Sequence, residues 1–147
     1  MHKIAEIKIS YSSNKLSNEK IKSSSQAHKL FLGTWNSKTM EFQEECKIIL
    51  LNRANEPLGI YNLSKGGSSG TVVDSKIIFS VALKCHASGI IIAHNHPSGN
   101  KNPSGEDINI TKNLIKAGKL LDVIILDHII LTNDEYFSFA DNGMMNV

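Results

Sequence analysis

The stretch "GIIIAHNHPSG", residues 89 to 99, constrains the fold more than any other part of the chain. A short run with no polar residue, opened by a glycine, reads as a central strand buried on both faces. Such a strand needs neighbouring strands on each side and covering layers above and below. Two histidines, His94 and His96, then close the run, and a polar loop rich in turn formers leads on to a helix starting near Ser104.

The flanking segments fit that demand. "CKIILLN" and "LGIYNLS" read as strands joined by the turn "RANEP". Asp74 is placed to cap a helix over "SKIIFSVALKCHA", with Ile77, Ile78, Val81, Ala82 and Cys85 along one side. A helix from Ser104 carries Ile108, Leu114, Ile115 and Leu121. "DVIILDHIILT" reads as a strand pair or one long strand, and "NDE" turns into "YFSFA". Near the amino end "KIAEIKI", residues 3–9, alternates as a strand would, and "SQAHKLFLGTW" spaces Ala27, Leu30, Phe31 and Trp35 helically, with Ser24 or Ser25 as N-cap. The polar stretch "YSSNKLSNEKIKSSS" between them reads as a loop or mobile arm, residues 1–22 together are a candidate N-terminal arm, and "KGGSSG" is a flexible connection. The expected architecture is α/β, a mixed sheet flanked by helices, in one domain over residues 1–147.

Composition narrows the function classes. Sixteen basic against fourteen acidic residues give a formal charge of +2, with eight lysines against five acids in residues 1–47. Nucleic-acid binding wants a clustered basic face, so this slight excess reads as a solvated surface. Cys46 and Cys85 form neither a CxxC nor a disulfide framework, and thiols in apolar runs suit a reducing compartment. No signal-peptide core or membrane-length apolar window is visible, so a cytoplasmic location is expected.

The chemistry concentrates between residues 94 and 107. His94 and His96 sit two apart at the carboxyl end of a strand, where they can aim two imidazoles at one point. Open α/β sheets usually hold their ligands at such an end. Ser104 is a natural N-cap with Asp107 three residues on, so the Asp107 carboxylate points back toward the histidine loop. Two neutral histidines and one carboxylate, with a fourth position open, suit a hydrolytic zinc. The same residues also fit a strand end with structural hydrogen bonds and an ordinary helix cap. Three look-alikes fail. "HNH" matches a nuclease name by letters alone. "GGSSGT" lacks the GxxxxGK[ST] of a phosphate loop. The His-x-Glu and Pro-Cys-x-x-Cys of zinc deaminases do not occur.

"HNHPSGNKNPSGED" resembles the zinc signature of the JAMM, or MPN-plus, metalloproteases: His-x-His, seven residues, Ser, two residues, Asp. "GIIIAHNHPSG", "LLDVIILDHIIL" and "YFSFAD" look like its RadC-like branch, over about residues 20 to 145. The resemblance implies the JAB/MPN (cytidine-deaminase-like) fold, a curved mixed sheet flanked by helices. It implies one Zn2+ held by His94, His96 and Asp107, hydrolysis of a peptide or isopeptide amide by a metal-activated water, and Ser104 stabilising the charge on the carbonyl oxygen. It also requires a glutamate as base, from among Glu41, Glu44 and Glu45. The family's spacing points to Glu44, with Cys46 where an aromatic ring usually stands. Alternation agrees, because Glu44 shares a face with Cys46, Ile48 and Leu50, and Glu45 is the alternative.

Asp127 and His128 match the branch's "DHII" and are candidates to hydrogen-bond a ligand or simply to finish a strand; Asn95 is expected to shape the ligand loop. The partner expected is a peptide or protein substrate. The alternatives are a DNA-associated repair accessory or nuclease using the same zinc, and a metal-stabilised interaction module without turnover.

Overall fold

A computed structural model describes residues 3–12, 19–66 and 73–146. Its elements in chain order are α1 (Ser24–Leu32), β1 (Glu45–Leu51), β2 (Pro57–Lys65), α2 (Ser75–Lys84), β3 (Gly89–Asn95), α3 (Gly105–Leu120), β4 (Ile124–Leu131) and β5 (Tyr136–Ser138). The five strands form one sheet in the order β2-β1-β3-β4-β5. All pairings are antiparallel except β3 with β4, so the sheet is mixed and the α/β expectation holds. "DVIILDHIILT" contributes one strand, not two. The connection "KGGSSG" falls largely on residues 67–72, outside the described residues.

The apolar run of β3 is central because it is flanked on both edges and buried on both faces. Ile90 and Ile92 join Cys46, Ile48 and Leu50 of β1 against α2 and α3, through Ile78, Phe79, Ala82, Leu114 and Ile115. Ile91 and Ala93 join Ile49, Leu51, Ile129 and Leu131 against α1, through Ala27 and Phe31, with Trp35 and Met40 closing that layer. Burying each large aliphatic side chain contributes about 1.5–3 kcal/mol, so these two layers hold the sheet between its helices. On α2 it is Phe79, not Ile77, that completes the buried side.

Helix ends follow from local chemistry. Ser23 caps α1, one residue before the expected serines, by accepting from the Gln26 N–H. Asp74 caps α2 as expected. That helix stops at Lys84 instead of reaching Ala87, because His86 adopts a left-handed φ of 54° while its N–H donates to the Leu83 carbonyl and that of Ala87 to Ala82. This is a Schellman stop with histidine at the position glycine usually takes. Helix α3 ends the same way, with Asp122 left-handed and the Val123 N–H donating to Gly118 at 2.9 Å. A Cβ on Gly118 would lie 2.2 Å from the Val123 carbonyl oxygen, so glycine lets α3 close onto the start of β4.

The expected strand over residues 3–9 does not form: residues 3–12 carry no regular structure, and Ile4, Ile7 and Ile9 are exposed. Alternation alone gives no partner for the backbone donors and acceptors of a strand. No helix among the described residues is long and apolar enough to cross a membrane.

Candidate metal centre

Antiparallel pairing sets Cys46 beside His94, so the residue two before Cys46 overhangs the carboxyl end of β3. That residue is Glu44, whose Oε1 lies 3.8 Å from His94 Nε2. Its backbone is fixed on both sides. The Glu44 carbonyl accepts from the Gly66 N–H at 2.8 Å, and the next N–H, of Glu45, donates to Asn95 Oδ1 at 2.7 Å. Glu45 turns the other way and pairs with Lys65 at 3.7 Å. Glu41 donates no carboxylate to the cluster; it accepts from the Asn133 side chain at 2.6 Å.

His94 and His96 bring their Nε2 atoms to 2.9 Å of one another. Each spends its other nitrogen elsewhere. His96 Nδ1 lies 2.7 Å from the Asn100 carbonyl oxygen, which can only accept, so that nitrogen carries a proton. His94 Nδ1 lies 2.7 Å from His128 Nε2. Asp107 arrives from the first turn of α3 under a full capping box. Its Oδ2 accepts from the Ser104 N–H at 2.8 Å, and its own N–H donates to Ser104 Oγ at 3.1 Å. The carboxylate so oriented places Oδ1 3.4 Å from His94 Nε2 and Oδ2 3.2 Å from His96 Nε2.

The electrostatics follow from these contacts. Burial works against the charged Asp107 carboxylate, yet its contacts with the His94 and His96 imidazoles and the Ser104 N–H outweigh it and hold its pKa well below the usual carboxylate range. Burial likewise works against a charged His96, and its hydrogen bonds to Asp107 and Asn100 raise its pKa nonetheless. Cys46 lies just inside, buried, its thiol pushed up to about 12 by burial and by the charges of Glu44 and Asp107. It stays a neutral packing group.

The donor set suits a cation. Glu44, His94 and His96 offer ligand atoms all within 4.8 Å of one another, and Asp107 contacts both imidazoles. Two ring nitrogens facing each other across 2.9 Å beside two carboxylates cannot all satisfy one another with the protons available to neutral rings. A divalent ion would accept every one of those lone pairs.

Asn95 and Asp127 stand apart from this cluster. Asn95 alternates to the α1 face, where its Nδ2 donates to the Met40 and Gln43 carbonyls at 2.8 and 2.9 Å. It therefore pins the segment carrying Glu44 instead of shaping the loop after His96. Asp127 accepts from Ser138 Oγ, the Ala140 N–H and the His128 N–H at 2.6, 2.9 and 2.7 Å, and none of its hydrogen bonds reaches His94 or His96. Neighbours in a strand face opposite sides, and the assignment of faces follows from the β3–β4 register, which jumps from Ile125 to Asp127, skipping Leu126. Such an irregularity re-aims the residues that follow, so His128 faces the histidines and Asp127 the opposite layer. Thr111 was not singled out from the sequence. It sits one helical turn after Asp107 with its side chain buried, and a lone threonine at that spacing on the covered side of α3 was the available signal.

The comparisons with known proteins agree with this geometry. Residues 21–144 match the family described as the RadC-like JAB domain. A UPF0758 protein of Flavobacterium johnsoniae is 48% identical over 101 residues, covering 69% of this chain and 44% of that protein. One from Alkaliphilus metalliredigens is 47% identical over 103 residues, covering 70% and 44%. One from Clostridium beijerinckii is 37% identical over 126 residues, covering 86% and 54%. The chain thus spans about half the length of the curated relatives it matches. With a mixed sheet, a His-x-His strand end and a capped Asp107 in place, this chain belongs to the RadC-like JAB domain family.

Proposed function

We propose that this chain is a zinc-dependent hydrolase that cleaves a peptide-like amide, an isopeptide bond included, in a peptide or protein substrate. The observation that carries the reading is Glu44: an acid 3.8 Å from a ligand histidine, its backbone fixed from two sides, beside a His-His-Asp set that can hold an ion without it. A structural zinc is closed by four protein ligands, whereas three ligands with a carboxylate standing beside the open position is the arrangement that activates a water.

His94, His96 and Asp107 would hold the ion. A bound Zn2+ would supply Lewis-acid polarisation of the scissile carbonyl and acidify a water molecule. The Glu44 carboxylate takes a proton from the attacking water and delivers it to the amide nitrogen as the C–N bond breaks. Ser104 Oγ accepts from the Asp107 N–H and so keeps its own proton to donate to the carbonyl oxygen as negative charge develops there. One such donor contributes about 3 kcal/mol to transition-state stabilisation. Asn95 keeps Glu44 in reach by tying its segment to β3.

The test is a panel of peptide and isopeptide substrates offered to zinc-loaded protein and to its Glu44→Gln variant. Cleavage by the first and not by the second supports the reading. Cleavage by both at one rate removes Glu44 from the chemistry. No cleavage, together with salt-dependent binding to duplex DNA, would move the assignment to a DNA-associated role.

A further inference from the structure

We infer that Thr111 and His128 are positioning residues that fix the tautomer of His94, so that its Nε2 faces the site as a bare lone pair; the inference deepens the metal-centre reading and rests on it. It starts from a single proton. The Thr111 hydroxyl donates to the Asp107 carbonyl oxygen at 2.7 Å, an acceptor that has no proton to offer. Giving that proton to the carbonyl leaves the 2.6 Å contact between Thr111 Oγ1 and His128 Nδ1 to be made by a proton on Nδ1.

His128 is 1% exposed, and its ring bonds to Thr111 and His94, neither of them an acid. An isolated charge is costly there, so the ring is neutral and carries one proton. Its Nε2 is then an acceptor, and the 2.7 Å contact to His94 Nδ1 places the His94 proton on Nδ1. What remains on His94 is an unprotonated Nε2, 2.9 Å from His96 Nε2 and 3.4 Å from Asp107 Oδ1.

The chain of hydrogen bonds begins at the Asp107 backbone carbonyl, runs through α3, β4 and β3, and ends at a His94 lone pair 3.4 Å from the Asp107 carboxylate, two acceptors that a cation would join. Phe139 stacks on the His128 ring, 4.8 Å between centroids and 12° between planes, and keeps that ring in register with both partners. A hydroxyl one turn along the helix thereby sets the form in which a histidine two strands away meets a cation. An outer partner of this kind commonly changes metal affinity about 10–100-fold.

Three variants test the pair. His128→Leu removes the acceptor. Thr111→Val keeps the shape and removes the hydroxyl. His128→Gln restores the pattern, since its amide oxygen can accept from His94 and its amide nitrogen can donate to Thr111. Ring nitrogen NMR on metal-free protein reads the tautomer, and competition with a chromophoric chelator reads Zn2+ affinity. We expect His94 protonated at Nδ1 in the wild type and in His128→Gln, and shifted toward Nε2 in His128→Leu and Thr111→Val. Zn2+ binding should weaken about 10–100-fold in the latter two and stay within about threefold in His128→Gln. Should His128→Leu fail to fold, the pair of Thr111→Val and His128→Gln carries the same contrast.

Wild-type protein with His94 protonated at Nε2, or full Zn2+ affinity in Thr111→Val, overturns the inference. A wild type that shows the Nδ1 proton but takes up no Zn2+ overturns the zinc reading and leaves the tautomer assignment standing.

Discussion

The adjacent strands β1, β3 and β4 carry buried polar residues, and the two faces of the sheet use them differently. Toward α1 point Lys47, Asn95 and Asp127; toward α3 point His94 and His128. The three α1-face residues make their hydrogen bonds within the fold. Asn95 meets three backbone groups, and Asp127 takes two N–H groups and a serine hydroxyl. The Lys47 ammonium donates to the Thr34 carbonyl at 2.6 Å and lies 4.6 Å over the Trp35 ring. On the α3 face the imidazoles and carboxylates confront one another, and the acceptor atoms outnumber the protons. Burial of a polar group therefore says little about function by itself. Where its remaining lone pairs go separates a clamp from a site.

Substitutions on the two faces should accordingly fail in different ways. The largest effect belongs to Glu44→Gln, which should lower turnover about 10³-fold while metal content stays at the wild-type level; elemental analysis beside a cleavage assay checks both halves. Asp127→Ala strands the Ser138 hydroxyl and the Ala140 and His128 N–H groups, and should cost about 3 kcal/mol in urea unfolding with little change in Zn2+ affinity. If Asp127→Ala weakened Zn2+ as much as His128→Leu, the division between the faces would break down. Gly118→Ala forces a methyl group against the Val123 carbonyl, and should lower stability by about 2 kcal/mol as α3 lifts from β4.

The smallest effect is a pH dependence on the α1 face. His28 stacks on Tyr136 at 4.2 Å, and burial lowers its pKa from 6.5. Below pH 6.5 the unfolded chain takes up a proton that the folded ring resists, so this residue costs stability as pH falls and costs none well above that value. Unfolding midpoints of wild type and His28→Gln should draw apart between pH 7 and pH 5, with wild type losing ground. Because the ring is partly exposed, solvent screening keeps the difference below about 1 kcal/mol.

Sequence carried the local parts of this site and missed the parts set by pairing. His94, His96, Ser104 and Asp107 are legible because strand alternation and a capping box act within a few residues. The family's spacing points to Glu44 and alternation agrees, and the structure turns Glu44 and Glu45 to opposite sides. His128 was read together with Asp127 as one strand-end pair. Alternation alone sends the two to opposite faces, but which face each takes depends on the register skip at Leu126, which no pattern along the strand announces. Asn95 acts on residues 40–45, some fifty positions away in sequence, through bonds that exist only after β1 and β3 pair. The N-terminal alternation shows the converse: "KIAEIKI" has the period of a strand, but among the described residues no ladder takes it up.

Metal content of freshly purified protein, measured per chain for the wild type and for His96→Ala, bears most directly on the account. About one zinc per wild-type chain, lost in His96→Ala while the fold survives, is the expected result. A wild type that neither retains nor takes up a divalent ion, or a His96→Ala protein that holds the same amount, would contradict it.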